Sequence, residues 1–398
     1  MKKLDITSFA EALKTATKAA TPTSKKETIK ANKAVGRILA QDIICRKNLP
    51  SFDNSAMDGF AFRYEDRGKK LKIAASIFAG DKPTPLLKEQ ECYRIMTGAQ
   101  VPMDADTIVP IEDCLDVGKD YVVVGENIKR GNAVRKKGEE QKSGALLMCS
   151  GEVLDFSRIA MLSAQGITDV EVFVPLKIAV LSTGNEIVEP WQEANDDQIY
   201  NANALGITAL LAQYGFEADY KGSLSDNLQE TIDAIGRLKS YDVIITTGGI
   251  SMGEADFLEE AFVANGLKRL FHGVNVKPGR PTMMGVMDGT FVMAMPGNPL
   301  TTLLNILMLS IVVLRKLQGA THPYHTKIKT KISQDLKLKP SRTNLVLGRI
   351  EKGIFQVIRD NKIGSGMLTP LMESNAVAIC SEDISELKEG DEVEVVVF

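Results

Sequence analysis

Between residues 175 and 317 short apolar runs alternate with helical stretches, and few folds accommodate that order. Residues 177–182 (Lys-Ile-Ala-Val-Leu-Ser) and 243–246 (Val-Ile-Ile-Thr) read as fully buried strands. Between them, residues 203–214 read as a helix with Leu205, Ala209 and Ala212 inward, and residues 227–238 as a second helix. Strands that alternate with helices imply a parallel α/β sheet with right-handed crossovers. Met283–Met287 and Thr290–Met295 flank Asp288-Gly289, a two-residue hairpin signal. A helix over residues 300–317 then closes the domain. Its most apolar part, residues 303–314, contains Asn305 and Ser310 and reads as too short to span a bilayer.

The flanking sequence follows other patterns. Ser8-x-x-Glu11 is a capping box, and Phe9, Leu13, Ala16 and Ala20 follow at helical spacing up to Thr21-Pro22. A second helix is expected over residues 25–34, and a strand-like stretch over 36–50. Residues 46–145 alternate in short runs between Gly, Pro and Asp clusters, which predicts β structure without a long helix. Residues 151–166 look helical, with Val153, Phe156, Ile159 and Leu162 on one face. After His322-Pro323 the period returns to two, as in residues 327–332 and 392–397, and a small separate β-domain is expected. At roughly 150 residues per domain, 398 residues make two to three domains.

The formal net charge of −3 supplies no global field for wrapping nucleic acid, and no basic tract is interleaved with aromatics. Five dispersed cysteines without a C-x-x-C pair fit reduced thiols in a cytosol. Asp5 and the polar residues after Met1-Lys2-Lys3 break any apolar leader core, so the expected location is cytoplasmic.

In an open parallel sheet, ligands collect at the carboxyl ends of strands, where turns and helix N-termini present free N–H groups. Three loops have that form: Ser182-Thr183-Gly184-Asn185-Glu186, Thr246-Thr247-Gly248-Gly249-Ile250-Ser251 onward to Asp256, and Pro296-Gly297-Asn298-Pro299. Each alone is a common connection; three at equivalent strand ends point to an anion such as phosphate. No Gly-Lys-Ser/Thr and no G-x-G-x-x-G follows, which argues against the two standard nucleotide loops. Glu186, Asp226 and Asp256 supply hard oxygen ligands of the kind Mg²⁺ takes, although Asp226 also reads as a helix cap. Lys277-Pro278-Gly279-Arg280-Pro281 is the clearest basic element. His322-x-x-His325 sits beside a proline with no third ligand, His272 is the only other histidine, and the methionines at 283, 284, 287, 293 and 295 read as core filling.

Taken in order, Asp53-Asn54-Ser55-Ala56-Met57-Asp58-Gly59, Thr97-Gly98-Ala99, the three loops above and Lys277-Pro278-Gly279 closely resemble the molybdopterin molybdotransferase family, MoeA and the gephyrin E domain. The resemblance covers essentially the whole chain. It implies an N-terminal helix (1–21) packed on a MogA-like α/β domain (175–322). It further implies a small α+β linking domain (22–45 and 146–174), a β-rich inserted domain (46–145) and a C-terminal β-barrel (323–398). The implied reaction inserts molybdate into adenylylated molybdopterin and releases AMP with Mg²⁺, across the interface of a homodimer. Asp58, Glu186, Asp256 and Lys277 are the implied catalytic residues, with Glu186 and Asp256 on the metal. Thr97, Glu140, Thr183, Gly184, Asp226, Gly248, Gly249, Ser251, Arg280, Pro296, Gly297, Asn298, Pro299, Arg342 and Ser365 are implied substrate contacts. Contact with the molybdopterin adenylyltransferase is also implied, and neither nucleic acid nor membrane is.

Three positions depart from the family pattern. Gly138-Glu139-Glu140 stands for Gly-Glu-Asp, Gly273 stands where Lys or Arg is common, and Leu347 where another Arg is usual. The lost cations leave an alternative open, a non-catalytic or specialised paralogue that acts as a molybdopterin-binding scaffold. A lone adenylyltransferase is disfavoured because it would be the α/β module by itself.

Overall fold

The computed structural model describes residues 6–81, 86–225, 227–250 and 257–398. The chain divides into two compact units, one of Met1–Gln41, Ser150–Ile159 and Thr168–Phe398, the other of Asp42–Cys149 and Ala160–Ile167.

In the first unit, β1 (Ile178–Thr183), α1 (Ala202–Gln213), β2 (Ala218–Leu224), α2 (Leu228–Gly236) and β3 (Val243–Thr247) follow one another. After them come α3 (Leu258–Ala264), β4 (Leu267–His272), β5 (Met283–Met287), β6 (Thr290–Met295) and the helical run α4 (Pro299–Leu317). The sheet order is β2-β1-β3-β6-β5-β4, parallel from β2 through β6, with β5 antiparallel to both neighbours. Alternate residues of the buried strands face opposite sides. Ile178, Val180, Val243 and Ile245 pack with Ile207 of α1, α4 and the N-terminal helix, while Ala179, Leu181 and Ile244 pack with Ile235 of α2 and Phe262 of α3. Helices therefore cover both faces, as a near-continuous apolar strand requires. The Asp288-Gly289 turn has positive φ at both residues, 50° and 93°, as the hairpin signal demands.

The N-terminal helix, Phe9–Ala19, begins where the capping box predicts, with the Ser8 hydroxyl accepting from the Glu11 N–H at 3.2 Å. At the other end of the chain, Lys327–Ile332, Thr343–Glu351, Ile354–Val357, Ala376–Cys380 and Glu392–Val397 close into a five-stranded barrel, because Thr343–Glu351 pairs with both Ile354–Val357 and Ala376–Cys380.

The second unit is built on a six-stranded sheet that includes Gly59–Phe62, Lys70–Ile77, Glu91–Ile95 and Thr107–Pro110. Its alternate residues feed two cores, one around Ala61, Ile95 and Ile108 and one around Phe60, Phe62 and Val109.

Four expectations need correction. Residues 26–30 form a strand paired antiparallel with Asp169–Phe173, not a helix, since only that pairing satisfies their extended backbone. In the 151–166 stretch the helix is Phe156–Ala164; Phe156 is 84% exposed and only Leu162 is fully buried. On α1 the inward face is Asn203, Ala204, Ile207 and Leu211, whereas Leu205, Ala209 and Ala212 point outward. The α4 helix is 19 residues long, enough in length and composition to cross a bilayer, unlike the shorter stretch expected from residues 303–314; 83% of its most apolar window is buried inside the fold.

Candidate functional site

The strand order reverses about β1: the chain leaves β1 for β2 on one side and returns to β3 on the other. Helices leave such a point on opposite faces, and a crevice opens at the carboxyl ends of β1 and β3. A cleft of about 490 Å³ lies there, lined by Thr183, Gly184, Glu186, Gly248, Gly249, Pro296, Gly297, Asn298 and Pro299 together with Asn201, Asn203 and Ile250. The three glycine-bearing loops thus meet in one place.

Their backbones fit because side chains are absent where they touch. Gly248 has φ +88°, and a Cβ there would lie 2.4 Å from the Thr183 hydroxyl and 3.0 Å from the Thr183 carbonyl oxygen. Thr183 in turn donates its hydroxyl to the Thr247 carbonyl at 3.2 Å, and the Gly248 N–H donates to the Met295 carbonyl at 3.0 Å. So β1, β3 and β6 are cross-linked at their carboxyl ends. The α4 helix starts at Pro299 and directs the positive end of its dipole at the same space.

Asn203, which the sequence did not single out, holds these loops in register. Its amide donates to the Thr247 hydroxyl and to the Gly297 carbonyl, both at 2.7 Å, and the Thr247 hydroxyl passes its own hydrogen to the Pro296 carbonyl at 3.0 Å. Asn201 is the N-cap of α1 and ties Ser182 (2.9 Å) to Tyr220 (2.8 Å). Tyr220 also donates to Glu189, and burial, followed by that carboxylate, pushes its phenol up to about 12. With the helix read from 203, the sequence analysis passes over Asn201; an Asn just before a helix is the signal that could have marked this cap, and nothing local marks Asn203 as a brace.

Glu186 is exposed at the cleft, and its carboxylate oxygens stand 2.8 and 2.9 Å from where a Cβ on Gly184 would be. Among the described residues no cluster of three or more metal-ligating side chains occurs. One or two carboxylates with water and phosphate are nevertheless the donor set Mg²⁺ takes, and Glu186 provides one. Asp226, Ser251 and Asp256 lie outside the described residues.

Of the basic loop, Pro281 alone is on the lining of this cleft. Asn305 of α4 braces the loop by donating to the Gly279 carbonyl at 2.9 Å and the Thr282 hydroxyl at 2.5 Å. One turn of α4, Ile306–Ser310, widens to π geometry immediately after that brace. Lys277 is exposed, and Arg280 has a buried Nε without a hydrogen-bond partner. Burial, and then the nearby Arg280 charge, lowers the Arg342 guanidinium below its ordinary value. The Arg280 charge thus acts on Arg342, and an anion near the two would offset it. Ser365 joins the cleft indirectly, its hydroxyl accepting from the Asn298 amide at 2.9 Å.

Leu347 is 2% exposed within the apolar core, and Gly273 occupies a turn at φ +111° that a side chain would strain. Both departures are accommodated by local packing and backbone conformation.

In the second unit, Asp58 accepts from the Thr97 N–H and the Thr97 hydroxyl, each at 2.7 Å. These bonds, the backbone one foremost, hold its carboxyl below the ordinary carboxylate value. Gly59 is required beside it, since a Cβ would fall 2.1 Å from the Val109 carbonyl oxygen. Asp53, another residue the sequence left unassigned, accepts from Lys136 Nζ at 2.9 Å and the Lys137 N–H at 2.8 Å. Glu140 is exposed, and its backbone N–H donates to Leu49 at 3.0 Å; the structure brings Asp58 and Thr97 together, and no contact joins Glu140 to that pair among the described hydrogen bonds.

Comparison with known proteins agrees along the whole chain. Residues 7–166 match the MoeA N-terminal region (domains I and II), residues 179–316 the family described as "Probable molybdopterin binding domain", and residues 329–398 the MoeA C-terminal region (domain IV). The molybdopterin molybdenumtransferase of Haemophilus influenzae is 30% identical over 386 residues, 94% of each chain, and that of Staphylococcus epidermidis 29% identical over 382 residues, covering 94% of this chain and 91% of that one. A crystal structure of the molybdopterin biosynthesis MoeA protein from Pyrococcus horikoshii OT3 superposes with a TM-score of 0.86 at 27% identity, covering 99% of this chain and 100% of that one. With all three regions matched in order and a near full-length relative at this identity, the chain belongs to the molybdopterin molybdenumtransferase (MoeA) family.

Proposed function

We propose that this protein is a molybdopterin molybdenumtransferase, which inserts molybdenum from molybdate into adenylylated molybdopterin and releases AMP during molybdenum cofactor biosynthesis. The observation that carries the reading is the convergence of the Gly184, Gly248-Gly249 and Pro296-Gly297 turns on one cleft at the switch point of the parallel sheet. Backbone N–H groups at these turns other than that of Gly248, which is bonded to Met295, and the α4 N-terminus would bind the substrate's phosphates. Glu186 and Asp256 would hold Mg²⁺, which when bound neutralises charge on the leaving phosphate. Lys277, Arg280 and Arg342 would draw molybdate in, while Asn298 and Ser365 orient the cleft's rim.

The proposed assembly is a homodimer in which Asp58, Thr97 and Glu140 of the partner subunit complete the site. Its domains would divide at 1–21, 22–45 with 146–174, 46–145, 175–322 and 323–398. The adenylyltransferase that makes the substrate would be a contact partner in the cytoplasm. The test is molybdate-dependent AMP release from adenylylated molybdopterin with Mg²⁺, for the wild type and for Glu186→Gln and Asp256→Asn. Release by the wild type that is lost in both variants is expected. Binding of the nucleotide without AMP release by the wild type would overturn the reading and favour a scaffold.

A further inference from the structure

We propose that Asn305 is a positioning residue for oxyanion capture: its buried amide fixes the peptide between Gly279 and Arg280, and so the direction in which the Arg280 cation leaves the basic loop. Asn305 is fully buried on α4, and both hydrogens of its amide go to this loop, to the Gly279 carbonyl at 2.9 Å and to the Thr282 hydroxyl at 2.5 Å. The Thr282 hydroxyl passes its own hydrogen to the same Gly279 carbonyl at 3.0 Å. A peptide group is planar, so two donors on that carbonyl also set the plane of the Arg280 N–H. On the far side of Arg280, its carbonyl accepts from the Val274 N–H at 2.8 Å and the Thr282 N–H at 2.9 Å. Both peptide planes that flank Arg280 are therefore held, one by backbone alone and one by Asn305 with Thr282.

Three further observations set this contact apart from ordinary packing. The amide lies directly on the glycine: Gly279 is at φ +116°, and a Cβ there would fall 2.5 Å from either polar atom of the amide. The Asn305 Oδ1 is buried without a partner, so the fold bears an unsatisfied acceptor to keep the two donors. The turn that follows, Ile306–Ser310, is π although residues 300–317 contain no Pro or Gly to impose it, and such turns gather at functional sites. The loop also has a force to resist. Arg280 and Arg342 carry like charges close enough to act on each other, and a loop free to yield would let them separate. The Lys277 backbone is fixed independently, since its strand pairs with Thr343–Glu351 in a register that sets Lys277 beside Asn344. Asn305 does the same for Arg280. This inference rests on the proposed role of the loop in drawing molybdate in.

The test compares Asn305→Leu, which keeps the size and removes both donors, with Thr282→Val, which is nearly isosteric and removes the relaying hydroxyl. In AMP release, the KM for molybdate should rise about tenfold in Asn305→Leu and by less, in the same direction, in Thr282→Val. Meanwhile kcat and the KM for adenylylated molybdopterin should stay within about twofold. A change that merely loosens the fold would raise both KM values together; that result, or an unchanged KM for molybdate, refutes the positioning role. Thr282→Val decides alone if Asn305→Leu does not fold. Should the wild type release no AMP, the proposed reaction fails, and calorimetric titration of wild type and variants with sodium molybdate decides the positioning role on its own. Binding about tenfold weaker in Asn305→Leu is then expected. Molybdate binding that is equal in wild type and variants, or absent from the wild type, overturns it.

Discussion

Replacing Asn203 distinguishes a tertiary brace from an ordinary helix residue. Its two amide hydrogens go to the Thr247 hydroxyl and the Gly297 carbonyl at 2.7 Å, and the side chain is 6% exposed. Asn203→Leu keeps the size but strands the Gly297 carbonyl, and one buried acceptor without a donor costs about 1–3 kcal/mol. The wild-type Oδ1 has no partner either, so its removal offsets part of that cost, and about 1–2 kcal/mol net is expected. Asn203→Asp is nearly isosteric yet sets a carboxylate against a carbonyl in a buried place. It should cost at least about 3 kcal/mol, the range for an uncompensated buried charge. Urea unfolding followed by circular dichroism, with unchanged slope, gives both values from the midpoint shifts. The order wild type, Leu, Asp is the signature. An Asp variant as stable as the Leu variant, or both within about 0.5 kcal/mol of wild type, would refute the brace, since that is the spread of neutral surface changes.

Other substitutions test the close approaches and the titrations. Gly248→Ala meets Thr183 at 2.4 Å and should cost well above the roughly 1 kcal/mol of left-handed strain alone, whereas Gly36→Ala, at φ +80° with nothing within 4 Å, should cost only that strain; the two unfolding midpoints make the comparison. Thr97→Val removes one donor from Asp58 and should raise that carboxyl towards 3.8, as read by ¹³C NMR titration. His325 binds its proton more weakly folded than unfolded, so its contribution to stability is present above about pH 6.5 and lost as pH falls through its lower folded value. Wild type should therefore lose more stability between pH 7.5 and 5.5 than His325→Gln, measured by urea midpoints at each pH.

Residue type and short spacing specify local features of this fold. The Ser8 cap, the Asp288-Gly289 hairpin and the buried strands β1 and β3 follow from residue type and short spacing, and the structure has each of them. The glycine turns of the cleft were legible for the same reason: a positive φ or a close backbone approach is written in the residue that permits it. Tertiary structure decided where local preference was balanced. On α1, Ala204, Leu205, Ile207, Leu210 and Leu211 spread apolar surface around the helix, so periodicity could not choose a face and packing against β1 did. Lys26–Lys30 is a strand only because Asp169–Phe173 pairs with it from far along the chain. The braces at Asn203 and Asn305 likewise depend on partners between 23 and 94 residues away. A side chain that spends its hydrogen bonds at such distances leaves no pattern in its own neighbourhood, and only the folded chain brings donor and acceptor together.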